Sequence, residues 1–210
     1  MSCASGAAAV CLAKQWIEAG RADRVLVVGY DMLTPFVWTG LTNLRTITTD
    51  CMRPFDRDRS GTIFSEGAAA MLLARKGVAN SATLARVVGA AVNNNAFHMT
   101  APPKRASGSL AVMRAALADA GVGPDAVEHV CAHATSTSAN DSTEAAALRD
   151  LFGEQLDGMT VAAHKSQLGH MMGAAGVAEA IVTVEAMRNG VIPPTIHHEN
   201  PDPECVLDCI

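Results

Sequence analysis

No apolar run in the chain approaches the roughly 20 residues that a membrane-crossing helix needs. Runs such as Ala7 to Ala13 and Val25 to Val28 fall far short. A basic tract is also missing: 16 Lys and Arg are scattered among 21 Asp and Glu, for a formal net charge of −5. Aromatic residues are only 4% of the chain and are not interleaved with basic ones. Nucleic-acid binding wants that combination, so neither a nucleic acid nor a membrane is an expected partner. Met1-Ser2-Cys3-Ala4-Ser5-Gly6 has no basic start ahead of its apolar run, unlike a signal peptide, and a cytoplasmic location is expected. Low-complexity tracts, short-period repeats and linkers rich in Ser, Gly or Pro are absent too. What is present is 210 residues, 49% of them apolar, enough to bury a core as one compact body, either one domain or one large lobe of two.

The six cysteines stand at 3, 11, 51, 131, 205 and 209. Their irregular spacing fits no disulfide framework, so free thiols in a reducing compartment are expected, most of them as small core residues.

Along the chain, helical and strand patterns alternate. Ser5 to Ala19 carries Val10, Ala13 and Ile17 at helical spacing and stops at Gly20. Arg24 to Gly29 is a compact β-branched run that predicts a strand buried on both faces. Residues 31 to 66, with Pro35, Pro54 and the polar run Asp56 to Gly61, predict loops around short helices, followed by a strand over Gly67 to Ala74. Beyond them the pattern predicts a strand at Leu84 to Val92, a helix at Ser109 to Ala120 ending at Gly121, and a strand at His129 to His133. It continues with a helix at Thr143 to Phe152, a strand at Thr160 to Ala163, and a helix at Ala174 to Arg188 stopped by Asn189-Gly190. Such alternation predicts an α/β layered sheet.

Three segments hold residues suited to chemistry. Cys3-Ala4-Ser5-Gly6 puts a thiol at a helix start, where unpaired N–H groups and the helix dipole favour thiolate; small residues behind it leave room for a substrate carbonyl. His133 follows an apolar strand and is trailed by Thr135 and Thr137, where strand ends of α/β sheets meet ligands. Lys165 and His170 precede a helix rich in small residues, where an imidazole tends to stay neutral and to donate a hydrogen bond. Singly, each has a plainer explanation: a buried structural thiol, a solvated loop histidine, a packed loop histidine.

Taken together, the three segments resemble the β-ketoacyl synthase family, the elongating condensing enzymes of fatty-acid and polyketide synthesis. Cys3 to Gly6 is similar to the nucleophile motif of that family. His133 to Thr137, with Asp141 and Glu144, is similar to its first histidine motif, and Lys165 to Gly176 to its Lys and Gly-His motif. Arg53-Pro54-Phe55-Asp56, Ser60-Gly61, Glu66-Gly67-Ala68, His98 to Pro102 and Ile192 to Thr195 resemble its connecting segments. The likeness covers nearly the whole chain. A second histidine at 170 is similar to the elongating, type II fatty-acid-synthase-like members, since chain-initiating members generally carry Asn there. Cys3 sets the chain apart from decarboxylase-like partner subunits that lack the cysteine.

The resemblance implies an α/β thiolase-like layered fold. Residues 1–80 would form the latter part of the N-terminal lobe, with the nucleophile, and residues 81–210 a C-terminal lobe without its final strands. It implies a 3-oxoacyl-[acyl-carrier-protein] synthase that joins a two-carbon unit from malonyl carrier protein to an acyl group on Cys3, with His133 and His170 stabilising the enolate. It further implies Thr135 and Thr137 as contacts to the phosphopantetheine arm, Lys165 and Glu144 as residues ordering the histidines, and Arg53 as a contact to the carrier protein. No cofactor of the enzyme's own is implied; the partners implied are acyl carrier protein and, at full length, a second copy. Two positions depart from the family pattern: Ala134 and Ser65 stand where glycine is usual, and the stretch Arg75 to Ala85 is short. The strand that leads into the nucleophile turn and the closing Gly-rich loop are not in the sequence, so the 210-residue chain alone is expected to be inactive or poorly folded. Two other roles are carried forward: a non-catalytic remnant or interaction domain of the same fold, and metal binding by His197, His198, Cys205 and Cys209, whose spacing matches no common zinc pattern.

Overall fold

The computed structural model describes residues 2–78, 82–98, 103 and 106–210. Helix α1 (Ser5–Glu18) runs to Gly20, whose φ of +67° is the left-handed turn that glycine adopts without strain. Strand β1 (Arg24–Asp31) then pairs antiparallel with β2 (Gly67–Ala74), from Arg24 opposite Ala74 to Asp31 opposite Gly67. Between them α2 (Pro35–Asn43) starts as its sequence directs: Pro35 opens the first turn and the Thr34 hydroxyl accepts from the Val37 N–H at 3.2 Å. The second half holds α3 (Ser107–Ala120), β3 (His129–Cys131), α4 (Ser138–Phe152) and β4 (Thr160–Ala162), with β3 and β4 parallel. Short α5 (Lys165–Leu168) and long α6 (Ala175–Asn189) complete it. Left-handed glycines stop α3 and α6, at Gly121 and Gly190.

Two apolar clusters fill the molecule. Around β3 and β4, Ala132, Val161 and Ala163 pack with Leu148 and Phe152 of α4, with Leu156 and Met159, and with Phe55 and Cys205 reaching in from loops. Around β1 and β2, one sheet face (Val25, Val27, Ala69, Met71, Leu73) is covered by Ala9, Val10 and Ala13 of α1 and Val177 and Ile181 of α6. Helix α6 also reaches the other half, where its Glu179 bonds to Lys165 of α5. Lys14 of α1, itself buried, reaches Glu18 at 2.7 Å and Asp119 of α3 at 2.9 Å and fastens one half to the other.

Several expectations change. The β1 strand is not buried on both faces: Leu26, Val28, Tyr30 and, opposite them, Leu72 are 64%, 54%, 71% and 63% exposed. Among the described residues nothing packs on that side, so β-branched composition reports a strand fit for two-sided burial rather than one that has it. Leu84 to Val92 forms no strand. It finds no ladder partner among the described residues and runs instead against α3, where the Ala90 N–H donates to Asp119 at 2.9 Å and a Cβ on Gly89 would lie 2.3 Å from the Ala116 carbonyl oxygen. Helix α4 begins at Ser138, five residues before the expected Thr143. The segments Met99 to Pro102 and the 80/81 lobe boundary lie on or beside residues outside those described.

Candidate active site

The start of α1 is set against the 170–176 segment by main chain meeting main chain. A Cβ on Gly6 would lie 2.6 Å from the Gly173 carbonyl oxygen, one on Gly176 2.6 Å from the Ala7 nitrogen, and one on Gly29 3.2 Å from the Ala174 Cα. The Gly173 N–H donates to Asp31 at 3.0 Å and pins the same segment to the end of β1. No residue larger than glycine permits this approach, and through it Cys3 and His170 are held in one neighbourhood. The small residues read from the sequence as allowing close packing do so here.

Cys3 sits two residues ahead of the first helical residue. Burial pushes its thiol above the usual value, and the Lys165 cation offsets only part of that. The expected helix-start thiolate is therefore corrected: desolvation outweighs the dipole. All six cysteines are free thiols, as expected.

His133 leaves the end of β3 on a loop clamped from α4. The N–H groups of His133 and Ala134 donate to the two carboxylate oxygens of Glu144, at 2.7 and 2.8 Å. Ala134 is fully buried with φ +40° and Ser136 has φ +64°. A side-chain-bearing residue there costs about 1–2 kcal/mol, which is where the departure from glycine at 134 tells. Asp141 accepts from the N–H groups of Phe55 (2.9 Å) and Ser136 (3.1 Å), tying the 53–56 loop to the histidine loop; burial pushes its carboxyl up to about 6. Thr135 and Thr137 share a hydroxyl–hydroxyl hydrogen bond at 2.9 Å.

His170 meets His133 edge to face, with ring centroids 5.5 Å apart and planes at 87°. Burial, reinforced by the Lys165 cation, lowers His133 to about 3 and His170 to about 4, so both rings are neutral at neutral pH. The Met172 N–H donates to Nδ1 of His170 at 3.2 Å, which assigns the ring proton to Nε2. That Nε2 is buried and has no hydrogen-bond partner among the described residues. A neutral imidazole thus offers one free N–H inside the protein, the donor that a developing oxyanion requires.

Lys165 is 1% exposed and bonds to Glu179 of α6 at 2.5 Å. Glu179 had no signal in the sequence beyond being an acid within an apolar helix, fourteen residues from its partner. Phe64, stacked on His170 with centroids 5.5 Å apart and planes at 25°, was likewise not singled out. Lys165 lies within electrostatic range of Cys3, His133 and His170 alike, and Glu144 supports the backbone beneath His133. Arg53 is directed elsewhere: its guanidinium pairs with Asp50 at 3.0 Å and its N–H donates to Ser136. The four residues weighed as metal ligands do not converge: Cys209 donates to Thr195 at 3.3 Å, His198 lies 3.1 Å from the Pro54 carbonyl oxygen, and no His, Cys, Asp and Glu grouping among the described residues forms a ligand set.

The mixed helix and sheet body is a thiolase-type fold. The chain belongs to the β-ketoacyl synthase family. Residues 2–79 match its N-terminal domain and residues 84–199 its C-terminal domain. Nodulation protein E of Rhizobium leguminosarum bv. trifolii is 40% identical over 99% of this chain and 52% of its own length. The 3-oxoacyl-[acyl-carrier-protein] synthase 2 of Coxiella burnetii is 35% identical over 100% and 53%. A solved type II polyketide ketosynthase, in complex with its acyl carrier protein and bound to the hexaketide, superposes with a TM-score of 0.96 at 30% identity over 100% of this chain and 54% of that one. The chain spans about half the length of the relatives it matches. No described helix is long and apolar enough to cross a membrane.

Proposed function

We propose that this chain carries the reacting residues of an elongating 3-oxoacyl-[acyl-carrier-protein] synthase. The Cys3 thiol gives up its proton as its sulfur attacks the carbonyl of an acyl carrier thioester; the Cys3 thioester forms, and the carrier's phosphopantetheine sulfur leaves as a thiol with that proton. Malonyl carrier protein, held through its arm at Thr135 and Thr137, loses carbon dioxide, and the enolate oxygen left behind accepts from His133 and from the Nε2–H of His170. The carbanion attacks the Cys3 thioester, the C–S bond breaks, and a 3-oxoacyl thioester two carbons longer leaves on the carrier. Lys165 and Glu144 order the two histidines, and no cofactor beyond the carrier's phosphopantetheine takes part. The observation that carries this reading is the buried, unpartnered Nε2–H of a neutral His170 beside His133. A cytoplasmic setting, a homodimer at full length, and Arg53 as a contact to the acidic carrier belong to the same proposal, as do residues 1–80 and 81–210 as parts of two lobes.

A two-part assay tests it. Intact-mass measurement after incubation with acyl carrier thioester should show one acyl group on the native chain and none on Cys3→Ser. Carbon dioxide release from malonyl carrier protein should fall about 10²-fold or more in His170→Ala while Cys3 acylation persists. Absence of both activities in the native chain would sink the proposal and favour the second reading, a non-catalytic remnant of the same fold.

A further inference from the structure

The strap formed by residues 62–65 follows the His170 segment atom for atom. The His170 N–H donates to the Ile63 carbonyl oxygen at 2.7 Å and the Ser65 N–H to the His170 carbonyl oxygen at 3.1 Å, a parallel bridge that sets Phe64 beside His170. The Ser65 hydroxyl adds a bond to the Leu168 carbonyl oxygen at 2.8 Å, and a Cβ on Gly169 would come within 2.8 Å of the Ser65 Cβ, so the strap has no slack. From it the Phe64 ring, 7% exposed, lies nearly parallel to the imidazole. The His170 ring is then touched on one face by Phe64, along an edge by His133, and at Nδ1 by the Met172 N–H. Nε2 has no hydrogen-bond partner among the described residues.

We propose that Phe64 is a positioning residue for His170, the flat face that stops the imidazole from turning and keeps its Nε2–H aimed where the enolate oxygen forms. The inference rests on His170 acting as that donor. Its physical basis is that an imidazole held by backbone and one N–H at Nδ1 still pivots about its own side-chain bonds, and an aromatic face in stacking contact restricts the pivot where an aliphatic side chain does not. A misplacement of the order of 1 Å in such a donor is enough to cost up to about 10²-fold in rate.

Phe64→Leu keeps apolar cover and removes the flat face; Phe64→Tyr keeps the face. In Phe64→Leu, decarboxylation of malonyl carrier protein should fall about tenfold while Cys3 acylation stays within about twofold, and Phe64→Tyr should recover most of the loss. In the native 210-residue chain, the His170 ring protons should show an upfield ring-current shift in NMR spectra, lost in Phe64→Leu and kept in Phe64→Tyr. The imidazole should meanwhile titrate far below the ordinary histidine value in all three, because burial is retained. Unchanged decarboxylation in Phe64→Leu overturns the proposal, as does an equal loss of acylation and decarboxylation, which marks Phe64 as packing alone. A native chain whose His170 protons lack the ring-current shift overturns it without any variant. If instead His170→Ala leaves decarboxylation intact, the donor role itself has failed, an outcome distinct from failure of the Phe64 inference.

Discussion

The half built on β3 and β4 and the half built on β1 and β2 differ less in composition than in closure. Around β3 and β4, Phe55, Leu148, Leu156 and Val161 are each at or below 1% exposure. Around β1 and β2 only Ala13, Val27 and Val177 are buried, although Val25 to Val28 and Ala68 to Leu73 are nearly all apolar. In the first half α4 packs on the strands together with Leu156, Met159 and the loop residues Phe55 and Cys205. In the second, α1 and α6 close one side only. Apolar side chains contribute stability by losing water, so the same residue types are worth much in one half and little in the other.

Substitutions turn that contrast into numbers. Leu148→Ala should cost about 3 kcal/mol in denaturant unfolding, the range for a fully buried leucine whose neighbours cannot collapse inward; a cost under about 1 kcal/mol would mean the β3–β4 half is looser than its burial states. Gly6→Ala, at the seam of the halves, should cost about 2 kcal/mol, because its methyl would meet the Gly173 carbonyl oxygen. It should also disturb Cys3 acylation, which Leu148→Ala spares at temperatures where both fold.

Acid should act on the closed half. His133 and His170 are neutral in the folded protein and titrate near 3 and 4, so as pH falls below about 6.5 the unfolded chain takes up two protons that the folded chain refuses. Asp141, raised to about 6, works the other way: the folded chain holds its proton between about 6 and 3.8 and gains stability there. Burial also lowers His129 and His164 and raises Glu179, so four lowered histidines stand against two raised carboxyls, unfolding takes up protons on balance, and stability should decline as pH falls from 6 to 4.5. Urea unfolding across that range measures the slope, and Asp141→Asn should steepen it. Least affected should be Leu72→Thr on the open sheet face, within about 0.5 kcal/mol of native. A cost several times larger would mean that face is covered in solution.

Periodicity and glycine stops made α1, α3 and α6 readable within one or two residues at most boundaries, because each is set by its own sequence. The miss at α4 has a specific cause. Ala139 to Glu144 reads as a polar turn, yet Asp141 spends its carboxylate on the Phe55 and Ser136 N–H groups, contacts 86 and 5 residues away, and so the helix can start earlier. The strand expected at Leu84 to Val92 has strand composition but no ladder partner among the described residues, and pairing is not encoded in the segment itself. At the site, Cys3, His133, His170, Lys165 and Glu144 were legible as motif residues. Glu179 and Phe64 were not, since an ion pair across fourteen residues and a ring stacked by a β-bridge exist only once the chain has folded. The state of Cys3 was misread for the same reason: the sequence displays its helix, not the burial around it.

The glycines where α1 meets the 170–176 segment have a thermal consequence. A spacing fixed by backbone against backbone has no rotamers through which to slip, so it does not loosen by degrees on warming. The distance between Cys3 and His170 should hold until the halves part. A reagent that singles out Cys3 should therefore lose its selectivity at the melting temperature of the chain rather than some degrees before it.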